Sequence, residues 1–266
     1  MNHFQNLLIW ALPASGKSET LTFLRELDPN ERLQRLHINN PVEIDDYQLV
    51  AEWFKSDDAR EKNNLSRVYT GRRNAEGGGF KTQQQWNHLT MFLNLQYKAL
   101  LAGNPNIHSD STVLLECARG GPENASFPLP YGYEQVIHVL DNELLRNAVI
   151  LYVKVSPEES KRRNRARHNP NDPLGTLGHM VPEKVMRDEY GCDDIQWLVS
   201  QSKDSGFINI KGFNIPIAIF DNQEDKTSFI RDKNISEQER QEKIKILLEE
   251  LEKVMHPLFE RFKSKI

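Results

Sequence analysis

No stretch constrains the fold of this chain more than residues 6–20, NLLIWALPASGKSET. An apolar run, Leu7-Leu8-Ile9-Trp10, leads through a short turn to Gly16-Lys17-Ser18. Glu19 to Arg25 then follow without a breaker, and their apolar residues share one helical face. A buried strand, a tight loop and a helix in that order gather backbone N–H groups at the helix start, where their partial positive charge binds anions. Pro13, Ala14, Ser15, Gly16, Lys17, Ser18 and Glu19 are therefore expected around a phosphate group. Lys17 would reach the β- and γ-phosphates, and the Ser18 hydroxyl would ligate Mg²⁺. The pattern G-x-x-x-x-G-K-[ST] asks for glycine where Ala11 stands. Alanine tolerates positive φ poorly, so the loop is expected to avoid it at Ala11 and at Ala14.

The chain has 266 residues, enough for one sizeable α/β domain or two small ones, and 34 basic against 38 acidic residues. That balance argues against a broad nucleic-acid-coating surface, though not against a local basic cleft. Two cysteines, Cys117 and Cys192, fit a reducing, cytoplasmic compartment better than a disulfide framework. The N-terminal apolar run is too short for a membrane span and lacks a basic flank, so it is expected to be a core strand.

Further along, Asp28–Arg35 reads as a polar turn, and Leu36–Ile38 and Val42–Ile44 read as strands. Ile44-Asp45-Asp46-Tyr47 then sets two carboxylates at a strand end, where an open parallel sheet binds its ligands. One of the pair can cap the following helix while the other acts on substrate. Asp45 is taken as the general base, which must face the crevice, with Asp46 beside it on the substrate side. Residues 51–82 read as an irregular polar insertion over the same crevice, either capping an anionic acceptor through arginines such as Arg72 and Arg73 or forming a solvated excursion.

Gln83–Leu101 has helical spacing and Trp86 reads as core. Thr112–Leu115 reads as a strand ending in Glu116 and Arg119, either a crevice-facing pair or an internal salt bridge. Tyr133–Arg146 reads as a helix and Val149–Val155 as a strand. Ser156-Pro157 caps a helix bearing Arg163 and Arg167 on one face, opposite an expected anion. His168–His179 reads as a lid loop, and Val181-Pro182 opens another helix. Ile208–Ile210 and Ile215–Phe220 read as strands. Ser236–Phe262 is a long amphipathic helix, suited to core packing or to a second copy of the chain.

ALPASGKS, IDDYQ, KRRNRAR and VPEKVMRDEY fall in one order along the chain. That order resembles the kinase domain of phage polynucleotide kinase and the zeta-toxin-like small P-loop kinases. The resemblance covers residues 6 to about 190 as islands. It implies an α/β fold: a three-layer P-loop NTPase with a mostly parallel sheet, a helical lid over residues 157–190 and an inserted substrate-capping segment, all within a single domain spanning 1–266. It also implies Asp45 as base, Lys17 and Ser18 on phosphate and Mg²⁺, Arg163 and Arg167 on ATP and the transition state, and Glu116 and Arg119 on substrate. Ala14 stands where related small kinases carry glycine, and Gln48 where polynucleotide kinases carry arginine. The expected activity is ATP·Mg²⁺-dependent phosphoryl transfer to a hydroxyl of a small molecule or nucleotide. The alternatives are a 5′-hydroxyl polynucleotide kinase and a nucleotide-gated regulatory ATPase.

Overall fold

The computed structural model describes residues 2–72, 78–167 and 180–265. Strand β1 (Asn6–Trp10) lies between β3 (Thr112–Cys117) and β4 (Ala148–Lys154) and is parallel to both. Strand β2 (Pro41–Asp45) pairs in parallel with the far side of β3, and β6 (Phe213–Asp221) with the far side of β4. Strand β5 (Phe207–Ile210) closes the edge as an antiparallel hairpin with β6. The resulting six-stranded order is β2-β3-β1-β4-β6-β5.

Side chains of β1 alternate between two cores. Leu7 and Ile9 pack with α1 (Lys17–Glu26) and α10 (Glu237–Lys265) on one face. Leu8 and Trp10 pack with α4 (Gln85–Gly103) and α5 (Tyr133–Val139) on the other. Helices thus cover both faces of a mostly parallel sheet, which is why its central strands read as unbroken apolar runs rather than as alternation. The fold is α/β. The long C-terminal helix turns Leu247, Leu251, Leu258 and Phe262 into the first core, so its apolar stripe serves core packing.

Several elements depart from the sequence reading. Asp28–Arg35 is not a turn but most of α2 (Pro29–Leu36), whose start Asp28 caps by accepting the N–H groups of Asn30 and Glu31. Proline at the first helical position agrees with that cap. Leu36–Ile38 is consequently not a strand, because His37 ends the helix in the left-handed region at φ 56°. The polar insertion is helical over its first third, since α3 spans Tyr47–Lys62. Its polarity reflects a helix with few residues to bury, Trp53 and Asp57 among them, rather than a lack of structure. The expected helix over Tyr133–Arg146 is two, α5 and α6 (Asn142–Arg146). Leu140 and Asp141 are extended between them, and the Asp141 N–H donates to Asn94 Oδ1 at 2.9 Å.

Candidate active site

From β1 the chain passes to β2 beyond β3, whereas from β3 it passes to β4 on the other side of β1. Ligands of open α/β sheets bind at the carboxyl ends of strands where the direction of crossing changes in this way. A cavity of about 180 Å³ lies there against the ends of β1, β2 and β3. Helix α1 begins at Lys17, directly after Gly16, which adopts φ 94°. A β-carbon at Gly16 would come within 2.3 Å of Thr227 Oγ1 and 2.4 Å of Asn222 Nδ2, so both the backbone angle and the space call for glycine. Ala14 does not avoid positive φ, as the sequence had suggested; it sits at φ 57°. That conformation costs an L-residue roughly 1–2 kcal/mol. Hydrogen bonds on both sides of it hold the loop: Ser160 Oγ donates to the Pro13 carbonyl at 2.6 Å and Asn222 Nδ2 to the Ser15 carbonyl at 2.8 Å. Ala11 is not among the positive-φ residues. Pro13, Ala14, Gly16, Lys17, Ser18 and Glu19 line the cavity; Ser15 does not, being buried behind the loop.

Around this loop the charged residues form two crossed pairs. The Lys17 ammonium meets the Glu116 carboxylate at the end of β3. Burial works against the Lys17 charge, but Glu116, Asp45 and Asp46 outweigh it and hold its pKa above the ordinary lysine value. Arg119 pairs not with Glu116 but with Asp46, Nη2 to Oδ2 at 2.7 Å, and its guanidinium lies over the Trp86 ring at 5.2 Å. Asp45 is the carboxylate left facing the cavity. Its Oδ1 accepts the Tyr47 N–H at 2.8 Å, so it also steadies the start of α3, while Asp46 makes no side-chain cap. Burial first, then the charges of Glu116 and Asp46, push the Asp45 pKa up to about 7, against the pull of Lys17 and the Tyr47 N–H. Tyr133 fastens the cleft floor: its hydroxyl donates to the Ala11 carbonyl at 3.0 Å and accepts the Arg119 N–H at 3.2 Å.

Arg163 and Arg167, on one face of α7 (Pro157–Ala166) and just beyond it, part company. Arg163 is buried and committed to the protein, donating to Glu159 at 2.6 Å and to the Asn222 and Gln223 carbonyls at 2.7 and 3.1 Å. It lines a second cavity of about 250 Å³ with Asp225, Thr227 and Arg231. Arg167 lines both cavities, which adjoin at Ala14, Gly16 and Glu19. Burial pulls its pKa down to about 10. Among the described residues its Nη2 reaches Asn164 Oδ1 at 3.3 Å, and its Nε has no hydrogen-bond partner. Glu19 partly offsets that burial but is itself paired with Arg231 at 2.6 Å, so Arg167 presents a desolvated charge on the cavity wall. The lid loop proposed for His168–His179 lies outside the described residues, but its flanks are tied together. Asn164 Nδ2 donates to the Val181 carbonyl at 2.7 Å and the Val181 N–H returns to Asn164 Oδ1 at 3.0 Å. Arg165 pairs with Glu183 on α8 (Glu183–Asp188).

The insertion does reach the cavity, through other residues than its arginines. Arg72 is exposed, paired with Glu61 and absent from the cavity wall, and Arg67 is held by Asp58 and Glu61. Arg73 lies outside the described residues. The wall consists instead of Gly78, Gly79 and Phe80, with Trp86, Tyr190 and Glu189 facing them. Asp57, fully buried in α3, fixes the approach by accepting the N–H groups of Val68, Tyr69 and Thr70. Burial and then Asp188 push the Glu189 pKa up to about 7. The sequence reading assigned Trp86 to the core alone; it belongs to a small cluster with Trp53 and Leu89 and also faces the cavity. Phe80 carries no motif that marks it, and Glu189 and Tyr190 end the VPEKVMRDEY stretch without a role assigned to them in the sequence; tertiary packing brings the three together.

Mg²⁺ takes hard oxygen donors, one or two from protein and the rest from phosphate and water. Ser18, Asp45 and Glu116 supply such oxygens on one cavity wall. Among the described residues no group of three or more His, Cys, Asp or Glu side chains is arranged to hold a metal by itself. No helix among them is long and apolar enough to cross a membrane.

Neither a protein-family model nor a curated protein matches the sequence. Among solved structures the chain is similar to a crystal structure of APE1195, at 18% identity over 62% of this chain and 68% of that one, with a TM-score of 0.29. A TM-score that low carries no argument about fold or activity.

Proposed function

We propose that this protein is a phosphotransferase that moves the γ-phosphoryl group of ATP to the hydroxyl of a small molecule. The observation that carries the reading is a single cavity shared by a glycine-hinged helix start with its lysine, a buried aspartate with pKa near 7, and a desolvated arginine. A base with that pKa suits proton abstraction at neutral pH. In the reaction the acceptor oxygen forms a bond to the γ-phosphorus, its proton passes to Asp45, and the bond from the γ-phosphorus to the bridging oxygen breaks, releasing ADP. Lys17 and the α1 N–H groups bind the phosphates, and Arg167 offsets charge on the moving group. Ser18 is the residue that would hold Mg²⁺, which neutralises phosphate charge when bound. Arg163 supports the loop after β6 and the wall of the second cavity; a direct part in the chemistry is not needed to explain its contacts. The test is transfer from γ-labelled ATP to a panel of nucleosides, sugars, aromatic alcohols and 5′-hydroxyl oligonucleotides. Labelled product that disappears in Asp45→Asn while ATP binding persists supports the reading. ATP hydrolysis without transfer to any acceptor would instead favour a regulatory ATPase.

A further inference from the structure

The half of the cavity away from α1 has a composition that narrows the acceptor, given the phosphotransferase reading above. Its walls are aromatic and apolar. Phe80 meets Trp86 edge to face at 4.7 Å between ring centroids, and Trp86 meets Tyr190 in the same manner at 5.7 Å. Val50, Leu89 and Val185 complete the lining. Such edge-to-face pairs leave ring surface for a further planar group to stack or abut.

Charge in this half is closed off. Among the described residues lining the cavity the cations are Lys17, Arg119 and Arg167; Glu116 meets Lys17 and Asp46 pairs with Arg119 at 2.7 Å, while Arg167 also borders the second cavity beside Gly16 and Glu19. Arg67 and Arg72, the basic residues of the insertion, turn back to carboxylates of α3. The remaining ionisable groups, Asp45 and Glu189, are acids. With Arg167 given to the transferred phosphoryl group, an acceptor carrying a phosphate would bring negative charge beside acids and cations that are already paired, and burying a charge without a partner is heavily disfavoured. Space points the same way. The whole cavity, about 180 Å³ with the phosphate end included, falls short of the ~300–1,000 Å³ of sites for drug-sized ligands. That volume suits a compact acceptor body.

We infer that the pocket bounded by Phe80, Trp86 and Tyr190 is an acceptor site for a compact, uncharged alcohol with an aromatic body, its hydroxyl directed to Asp45. A neutral body needs no counterion, and the Glu189 carboxyl at the rim supplies one polar contact to orient it. Arg119 acts as a positioning residue: it holds Asp46 and the Trp86 ring in place and contacts the acceptor through neither charge nor stacking.

The experiment measures binding first and transfer second. Saturation-transfer NMR is run on the full chain with 2-phenylethanol and thymidine as uncharged aromatic alcohols. Thymidine 5′-monophosphate serves as the anionic counterpart, 2-amino-1-phenylethanol as the cationic one, and ribose and glycerol as alcohols without a ring. Nucleotide binding is measured separately by titrating ATP with Mg²⁺. The expected result is binding of the two uncharged aromatics, with the charged and ring-free compounds weaker by about tenfold or more, the effect of one lost contact worth ~1.4 kcal/mol. Trp86→Leu and Phe80→Ala should weaken aromatic binding by a similar factor and leave the ATP·Mg²⁺ titration unchanged; where Trp86→Leu unfolds, Phe80→Ala and the wild-type ranking decide. Equal or better binding of the monophosphate, the amine or the ring-free alcohols overturns the inference, as does absence of binding by both uncharged aromatics. Failure of ATP to bind overturns the phosphotransferase reading instead, and leaves the ranking of the aromatics to be judged on its own.

Discussion

Asp46 and Arg119 form a 2.7 Å ion pair with almost no exposure to solvent, one residue away from a carboxylate that opens onto the cavity. This contact divides the work of the two adjacent aspartates, and it predicts opposite behaviour for two otherwise identical substitutions.

Asp46→Asn leaves the Arg119 charge buried without its counterion. Breaking one side of such a pair costs about 3–5 kcal/mol, so the variant should melt well below wild type at every pH near neutrality. Asp45→Asn should do the reverse. Between the ordinary aspartate value of 3.8 and about 7, the folded chain holds a proton on Asp45 that the unfolded chain releases, so this group makes stability fall as pH rises through that window. Asparagine keeps an oxygen for the Tyr47 N–H and removes the penalty. The variant should gain on the order of 2 kcal/mol over wild type at pH 8 and little or nothing at pH 4. Thermal melts across that range check both.

Catalysis gives Asp45 a second signature. Wild-type transfer should rise with pH through about 7 as the carboxyl loses its proton, then level off. In Asp45→Asn the rate should drop by roughly 10²–10⁴-fold and lose that rise, with ATP·Mg²⁺ affinity retained. A pH profile of single-turnover transfer measures it.

Lys17→Met should abolish ATP·Mg²⁺ binding, but it also strands the Glu116 carboxylate in a largely buried position. A stability loss of about 3 kcal/mol is expected from that orphan charge. Lys17→Met combined with Glu116→Gln should recover most of the stability and none of the nucleotide binding. Calorimetric titration and denaturant melts on the single and double variants separate the two roles.

Arg163 and Arg167 should not behave alike, although the sequence presents them as a matched pair. Arg163→Ala removes donors to Glu159 and to two carbonyls and should lower stability by ~2–4 kcal/mol. Arg167→Ala removes a charge whose burial already disfavours it, so the melting temperature should hold or rise while kcat falls by about 10²-fold. A melting-temperature measurement with and without ATP·Mg²⁺ adds a check: nucleotide should protect wild type more than Arg167→Ala.

The strand–loop–helix at residues 6–26 was plain in the sequence because local chemistry dictates it: a doubly covered strand must be continuously apolar, and the loop needs Gly16. The capped start at Ser156-Pro157 was equally local, and Ser156 Oγ accepts the Glu159 N–H as its residue type suggests. Helix α2 carries the same kind of signal in Asp28-Pro29, but its polar residues mask the helical pattern. What the sequence could not show was pairing at a distance. Glu116 and Arg119 are three residues apart and look made for one another, yet each binds a partner from another element, because a strand end turns successive side chains to different faces. The arginines of the insertion looked like anion binders, but their nearest acids sit a turn or two earlier on α3. Positive φ at Ala14 was equally hidden, since it depends on hydrogen bonds from Ser160 and Asn222, far along the chain.

The polar ties of the segment after α3 run back to α3 itself. Asp57 gathers Val68, Tyr69 and Thr70, Arg67 and Arg72 return to Asp58 and Glu61, and the Tyr69 carbonyl accepts the Lys81 N–H and the Gln85 amide. Among the described residues, 47–72 and 78–86 are thus tied largely to one another, and Trp86 meets the sheet end under the Arg119 guanidinium that Asp46 holds. On the proposed function, changes to the inner wall of this segment would alter the choice of acceptor while leaving the Gly16-Lys17-Ser18 loop as it is.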